Sequence, residues 1–255
     1  MKIPHLIIAA SAILASAACN AEKGAKATGP GPEVTAKAVP APNNGDWSAI
    51  VSKTAEGGFI MGNPNAKVKL VEYGSMTCPH CAAFDEAGTK PLIDNYVKKG
   101  LVSFEFRNYV RDQFDLTASL IARCGGESSF FGLTRNLYAD QSNWIGKLQA
   151  ADQAQMQALE AMAPAQKFST IADLAGLKQF ASLRGVPRAK ADACLADEAA
   201  VNQLVQINSD AITQYPKFPG TPTFIINSAM VELGPVTEAQ VWPTLETKIK
   251  EALAG

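Results

Sequence analysis

Two cysteines separated by two residues form the part of this chain with the most direct chemical meaning, Cys78-Pro79-His80-Cys81. The nucleophile in disulfide exchange is a thiolate, and a helix N-terminus stabilises an anion through its unpaired N–H groups and partial positive charge. Pro79 predicts such a helix start, because the N–H that proline lacks would be unpaired there anyway. His80 can add a hydrogen bond or positive charge. We predict Cys78 as the nucleophile and Cys81, one turn further on, as the resolving thiol.

Zinc binding and a purely structural disulfide are the other interpretations of this cysteine pair. Structural zinc usually takes four ligands. The only histidines are His5 and His80, and no second cysteine pair has ligand spacing. A structural disulfide would gain little stability from closing so short a loop. We therefore expect neither a metal ion nor another cofactor at this motif.

Regular elements on both sides must position the two cysteines. Residues 68–73 form a short, nearly continuous apolar run before them, which is typical of a buried central strand. Apolar residues over 84–97 follow helical spacing, and Gly88 and Pro91 predict a kink. Residues 101–110 then alternate between apolar and polar, which predicts a half-buried strand. A strand, a helix and a returning strand form a crossover unit, so the two strands should be parallel near neighbours.

The C-terminal end repeats the strand pattern at residues 223–227 and 230–233. A final helix should follow, because Thr237 and Gln240 have capping-box spacing. Its predicted buried face consists of Val241, Leu245 and Ile249. Residues 112–213 lack strand-like alternation and are rich in Ala, Gln and Leu. This segment predicts an inserted helical subdomain, with a core formed by Phe130, Phe131, Tyr138 and Trp144.

Two motifs resemble a known family. The run from Val71 to Cys81 is similar to the DsbA family of thioredoxin-fold proteins, and Gly220-Thr221-Pro222-Thr223-Phe224 is similar to the cis-proline loop of that superfamily. The resemblance implies an α/β protein, a thioredoxin fold with an inserted α-helical subdomain. The N-terminal half with the active site would span 46–111, the helical insertion 112–213, and the C-terminal half with the cis-proline loop 214–255.

The resemblance also implies roles for individual residues. Pro79 and His80 would tune the attacking Cys78, which is resolved by Cys81. Pro222 would be cis and face the cysteines, and the backbone of Thr221 would pair with a bound substrate peptide.

Glu72 lies six residues before Cys78 in a strand that otherwise predicts burial. It resembles the buried acid of the family that takes the proton from the resolving thiol, and burial should raise its pKa towards the working range. The alternative places Glu72 at the edge of the sheet, paired with a lysine such as Lys69.

The remaining pair, Cys124 and Cys194, falls in the predicted insertion, where family members often carry cysteines. A structural disulfide is the favoured interpretation. It would close a loop of roughly 70 residues and contribute on the order of 4 kcal/mol in the chain-entropy model. A second redox-active pair is the alternative.

The N-terminal residues predict export. Residues 1–18 have a basic start, an apolar run and then small residues, as in a secretory signal peptide, and the run is too short for a membrane span of roughly 20 residues. Cys19 is either lipidated, which would anchor the protein to a membrane, or part of a simply exported chain. The composition of residues 19–45 predicts a disordered tether. The periplasm is the expected location.

Charge and resemblance together define the function hypotheses. The formal net charge is −1 and no basic block is interleaved with aromatics, so nucleic acid is not an expected partner. The resemblance implies a monomeric periplasmic oxidase that donates its disulfide to cysteine-containing exported proteins and is reoxidised by a membrane partner of the DsbB type. Thr221 stands where the prototype oxidase has valine, which favours a disulfide isomerase or reductase instead. The third hypothesis is a periplasmic protein that binds copper through its thiolates.

Overall fold

The computed structural model describes residues 36–42 and 45–255. The predicted signal peptide at 1–18 and Cys19 lie outside the described residues, as does most of the predicted tether. Within the described ranges, no helix is both long enough and apolar enough to cross a membrane.

Residues 36–42 belong to the predicted tether, yet they contact the folded part. The backbone N–H of Val39 donates to the carbonyl oxygen of Lys99 at 2.9 Å. The indole N–H of Trp47, a buried residue, donates to the carbonyl oxygen of Val39, also at 2.9 Å. The unstructured character predicted up to Gly45 therefore does not hold at Val39.

Six strands form one sheet in the order β1-β2-β4-β3-β5-β6. The strands are β1 Val51–Lys53, β2 Phe59–Met61, β3 Val68–Gly74, β4 Val102–Asn108, β5 Thr223–Ile226 and β6 Ala229–Met230. β3 and β4 run parallel, as the predicted crossover requires, and the other neighbouring pairs are antiparallel. The strand that leads to the cysteine motif, β3, is thus central.

Along the chain, two helices lie between β3 and β4, eight lie between β4 and β5, and one follows β6. They are α1 Pro79–Phe84, α2 Lys90–Leu92, α3 Gln113–Cys124, α4 Phe130–Ala139, α5 Gln141–Gln149, α6 Gln153–Glu160, α7 Pro164–Leu174, α8 Leu177–Ser182, α9 Arg188–Leu195, α10 Glu198–Gln214 and α11 Glu238–Ala254. Wide π-helical turns flank α2 at Asp85–Thr89 and Ile93–Val97. The kink predicted at Gly88 and Pro91 takes this form, because Pro91 cannot donate to the helical ladder.

Eight helices, α3 to α10, separate β4 from β5, which confirms the predicted α/β class with an inserted helical subdomain. The aromatic residues of the insertion also pack on the sheet. Phe130 contacts Phe106 and Phe131 contacts Phe104, with ring centroids 5.8 and 5.7 Å apart. Insertion and sheet therefore share one core. The four aromatics predicted for the insertion core are all buried: Phe130, Phe131, Tyr138 and Trp144.

The prediction of a half-buried β4 is wrong, because both faces of this strand are covered. Ser103 and Glu105, on the predicted polar face, are only 1% and 7% exposed. The guanidinium of Arg107 lies on the same face, with its Nε 2.7 Å from Oε1 of Glu105, and the Thr54 hydroxyl donates to the same oxygen. A carboxylate can be buried when it is paired and hydrogen-bonded in this way.

The sequence patterns also missed or misplaced some short elements. β1 and β2 have three residues each, which is too few for a periodicity to show. The last strand, predicted at 230–233, is the two-residue β6. The predicted capping box of Thr237 and Gln240 is present at the start of α11.

Candidate active site

Cys78 is the N-cap residue of α1, and Cys81 lies one turn inside the helix. Both are unbridged thiols that are 3% and 0% exposed. The chain leaves β3 at Gly74 and reaches Cys78 through a turn of three residues, 75–77. The N–H of Cys78 donates to the carbonyl oxygen of Ser75 at 3.2 Å, which closes this turn. The nucleophile thus lies where the helix offers its unpaired N–H groups.

The surroundings of Cys78 strongly favour its thiolate. Its pKa is lowered from the ordinary value to about 5, chiefly because the thiol of Cys81 donates a hydrogen bond to it. The hydroxyl of Thr221 and the backbone N–H groups of Cys81 and His80 act in the same direction, and together they outweigh burial, which raises the pKa. Cys78 is therefore ionised at neutral pH when the protein is reduced.

Thr221 and Pro222 meet Cys78 from the loop before β5. The peptide bond between them is cis. The Sγ of Cys78 lies 3.2 Å from the carbonyl oxygen of Thr221, to which a protonated thiol donates. A thiolate has no proton to donate, so ionisation exchanges this contact for the hydrogen bonds that the sulfur accepts. The two motifs are thereby brought together across the C-terminal end of the central strand.

Cys81 has the opposite environment. Its pKa is raised well above the ordinary value, first by burial and then by its hydrogen bond to Cys78 and the negative charges of Glu72 and Cys78. It stays protonated at neutral pH and must lose its proton before it can attack a disulfide.

Glu72 lies in β3, between β4 and β5, and is 2% exposed. The alternative position at the edge of the sheet is therefore wrong. The pKa of its carboxyl is raised well above the ordinary value by burial and then by the charges of Asp85 and Cys78. Among the described residues, its Oε1 has no hydrogen-bond partner. A buried, unpaired acid of high pKa beside Cys81 is suited to exchange a proton with that thiol.

His80 acts differently from the expectation. Its Nδ1 lies 2.7 Å from Oε1 of Glu238 at the start of α11, and both side chains are exposed. The imidazole thus bridges α1 and α11, while it is the backbone N–H of His80 that reaches the Cys78 sulfur. Pro79 occupies the first turn of α1 as predicted from its missing N–H.

Several polar residues near the cysteines carried no signal in the sequence. Asp85, one turn after Cys81, lies 3.7 Å from Nε of Arg135. Its pKa is raised by burial, an effect that Arg135 opposes. Both residues line a cleft of about 770 Å³ between α1 and the helices α4 and α5. Three further residues of the insertion contact the turn before Cys78: Asp115, Tyr138 and Gln141.

Residues 54–249 match the sequence model of a protein family that is described as thioredoxin. The chain belongs to the thioredoxin family. Residues 78–81 and the loop at 221–222 both lie within that match, as does the helical insertion between them.

Individual relatives agree with this assignment. A protein-disulfide isomerase from Novosphingobium aromaticivorans is 35% identical over 74% of this chain and 96% of that one, with a TM-score of 0.68. Wolbachia pipientis α-DsbA1 shares the fold, with 19% identity over 76% of this chain and 90% of that one and a TM-score of 0.58. The predicted thioredoxin fold and DsbA-like resemblance are confirmed.

A candidate protein-disulfide oxidoreductase of Rickettsia bellii is 28% identical over 184 residues, which are 72% of this chain and 62% of that relative. This member of the thioredoxin family thus spans about three-fifths of the length of that curated relative.

The second cysteine pair of this thioredoxin-family chain lies within the insertion. Cys124 at the end of α3 and Cys194 in α9 form a disulfide, with their Cα atoms 5.8 Å apart. It closes a loop over a sequence separation of 70 residues. Among the residues that the structure describes, no group of three or more His, Cys, Asp or Glu side chains is placed to hold a metal ion.

Proposed function

We propose that this protein is a DsbA-like thiol-disulfide oxidoreductase that donates the Cys78–Cys81 disulfide to cysteine-containing proteins exported to the periplasm. The observation that carries this proposal is the environment of Cys78, whose pKa is lowered to about 5. Stabilising the thiolate stabilises the reduced protein, so the disulfide becomes a stronger oxidant by about 30 mV for each 1.4 kcal/mol.

The exchange takes place in two steps. A thiolate of the client attacks Sγ of Cys78, the bond between Cys78 and Cys81 breaks, and the Cys81 sulfur leaves with the electron pair and takes a proton from Glu72. A second client thiolate then attacks the client sulfur of the mixed disulfide and releases Cys78 as a thiolate. The client loses two electrons and the protein gains them. The low pKa of Cys78 makes it a good leaving group in the second step.

The client would bind beside the loop of Thr221 and Pro222. The carbonyl oxygen of Thr221 lies at the sulfur of Cys78, so an extended peptide that pairs with the Thr221 backbone has its cysteine next to the nucleophile. The bridge between His80 and Glu238 lies at the start of α1, and both of its side chains are exposed.

Reoxidation and location complete the proposal. A membrane protein of the DsbB type would accept two electrons from the reduced pair and restore the disulfide, with this protein acting as a monomer. The signal-peptide pattern at 1–18 supports export to the periplasm. Cys19 would either carry a lipid that holds the domain at a membrane or play no part in anchoring.

A disulfide isomerase or reductase is the second candidate, favoured by two observations. Thr221 places a hydroxyl beside the nucleophile where the prototype oxidase has a valine, and the Novosphingobium relative is described as a protein-disulfide isomerase. Such an enzyme would be kept reduced and would begin by attacking client disulfides with the Cys78 thiolate.

A glutathione redox titration separates an oxidase from a reductase. The mature domain is equilibrated in glutathione buffers, alkylated and digested, so that mass spectrometry reads Cys78 and Cys81 apart from the second pair. An oxidase requires a potential well above the roughly −270 mV of thioredoxin. A potential near that value would indicate a reductase, and the absence of a reversible couple would exclude every one of these activities. The Cys78→Ser variant should be inactive in insulin reduction and in thiol oxidation.

A further inference from the structure

The turn before the nucleophile, residues 75–77, is held by side chains of the helical insertion. Asp115 comes from α3, Tyr138 from α4 and Gln141 from α5. All three are buried: Asp115 is 0% exposed, Tyr138 5% and Gln141 8%. The position of Cys78 therefore depends on parts of the chain that are distant from it in sequence.

Asp115 holds the donors of this turn. Its carboxylate accepts the hydroxyl of Ser75 at 2.6 Å and the backbone N–H of Met76 at 2.8 Å. It also accepts the N–H of Arg111 at 3.0 Å, which ties the turn to the segment that follows β4. Hydrogen bonds to a charged acceptor are shorter and roughly twice as strong as neutral ones.

Gln141 and Tyr138 hold the acceptors of the same turn. Nε2 of Gln141 donates to the carbonyl oxygens of Met76 at 2.8 Å and of Cys78 at 3.0 Å. The hydroxyl of Tyr138 donates to the carbonyl oxygen of Ser75 at 3.2 Å. The single amide of Gln141 thus binds two carbonyl groups: that of the nucleophile Cys78 and that of Met76, which lies two residues earlier.

We propose that Gln141 and Asp115 are positioning residues, which hold the backbone of Met76 and Cys78 so that the Cys78 sulfur keeps its contacts with Cys81 and Thr221. This inference rests on the proposed function and deepens it, because it assigns the helical insertion a part in setting the redox properties of the cysteine pair.

The physical basis is the sensitivity of the thiolate to geometry. The sulfur of Cys78 accepts from several donors at once, and hydrogen bonds weaken steeply as distance and angle depart from the optimum. The carbonyl oxygen of Cys78 also accepts the N–H of Ala82 at 3.2 Å, so the first turn of α1 and Gln141 hold the same peptide group. When the amide of Gln141 is removed, the carbonyl group of Cys78 keeps only its hydrogen bond from the N–H of Ala82.

The variant Gln141→Met tests this role, since it keeps the length of the side chain and removes both N–H donors. We expect the midpoint of Cys78 alkylation by iodoacetamide to rise by about one pH unit, which corresponds to about a tenfold change in the ionisation constant. The equilibrium constant with glutathione should change about tenfold towards the oxidised protein. Asp115→Asn, which loses charge but little volume, should shift both quantities in the same direction and by less.

The matched control is Gln157→Met, because Gln157 is an exposed glutamine of α6 in the same insertion. It should behave as wild type in both measurements. A folded Gln141→Met variant with the alkylation midpoint and glutathione equilibrium of wild type would overturn the proposed role. Should that variant not fold, Gln141→Asn decides in the same way, because its amide is retained but withdrawn by one methylene.

Wild-type protein in the same experiment reports separately on the proposed function. If the wild type has no reversible Cys78–Cys81 couple, the proposed function fails. If the wild-type couple is present and Gln141→Met leaves it unchanged, only the positioning role fails.

Discussion

Nδ1 of His80 lies 2.7 Å from Oε1 of Glu238, so one of the two residues between the active-site cysteines is tied to the C-terminal helix. The carboxylate of Glu238 is thereby held near the start of α1, whose first residues follow Cys78. The contact is exposed, and exposed pairs contribute little to folding stability. Its effect should therefore appear in the redox chemistry of Cys78 rather than in the folding of the domain.

The variant Glu238→Gln is expected to make the protein a stronger oxidant by about two- to threefold in its equilibrium with glutathione, since the carboxylate that the His80 imidazole holds near the start of α1 would no longer oppose the negative charge of the Cys78 thiolate. The same substitution in a His80→Ala background should have no effect. An equal effect in both backgrounds would show that Glu238 acts on the cysteine without His80.

Glu72→Gln should slow the resolving step, because the variant cannot take the proton of Cys81. We expect the mixed disulfide formed by Cys78 with glutathione to persist longer near neutral pH, by about tenfold or more if Glu72 is a general base. Quenching with acid and mass spectrometry measure its lifetime. A lifetime equal to that of wild type across pH 6 to 8 would exclude Glu72 as the proton acceptor.

The same variant should change stability in a pH-dependent manner. The folded pKa of Glu72 lies above that of an unfolded glutamate, so folding favours its protonated form. The contribution of Glu72 to the free energy of unfolding of the wild type is fully present below about pH 4, where the glutamate is protonated in the unfolded chain too. This contribution is lost as the pH rises through the pKa of the folded protein. Glu72→Gln should thus be nearly neutral at pH 4 and stabilising at pH 8. Urea unfolding of both proteins at the two pH values measures the difference.

The low pKa of Cys78 predicts that the reduced protein is more stable than the oxidised one at neutral pH. For a thiol with a lowered pKa, the stabilisation is full above the unfolded value of about 8.5 and is lost as the pH falls through about 5. The difference in Tm between reduced and oxidised protein should therefore shrink between pH 7 and pH 4. Reduced Cys78→Ser should lack this pH dependence, and a constant difference in the wild type would contradict the low pKa.

Replacing both Cys124 and Cys194 by serine is expected to lower the free energy of unfolding by on the order of 4 kcal/mol, because the disulfide closes a long loop in the unfolded chain. The glutathione equilibrium of Cys78 and Cys81 should stay within about twofold of wild type. If instead the second pair titrates reversibly with glutathione over the same range as the first, its role is not purely structural.

The sequence predicted the local part of the site correctly and missed the long-range part. An apolar run and Pro79 are enough to place Cys78 at a helix N-terminus after a buried strand, since both signals lie within a few residues. The residues that hold the turn before Cys78 are far away in the sequence. Asp115 is 39 residues from Met76, and Gln141 is 63 residues from Cys78. No periodicity records contacts at such separations.

The two errors on charged side chains have a similar cause. The alternation of apolar and polar residues in β4 predicted that one face of the strand is exposed to solvent. That face is buried because Arg107 pairs with Glu105, and an alternation pattern carries no information on such a pair. The contact of the His80 imidazole with Glu238 could not be predicted, because Glu238 is 158 residues further along the chain.

The contact of Val39 with Lys99 has a consequence for how the domain is presented. Lys99 lies just before β4, whereas Cys78 follows the end of β3, and these two strands run parallel over seven residues each. The two points are therefore at opposite poles of the sheet, about 20 Å apart along the strands. A force applied to the chain on the N-terminal side of Val39 therefore acts on the domain at the end of the sheet that is opposite Cys78 and Cys81.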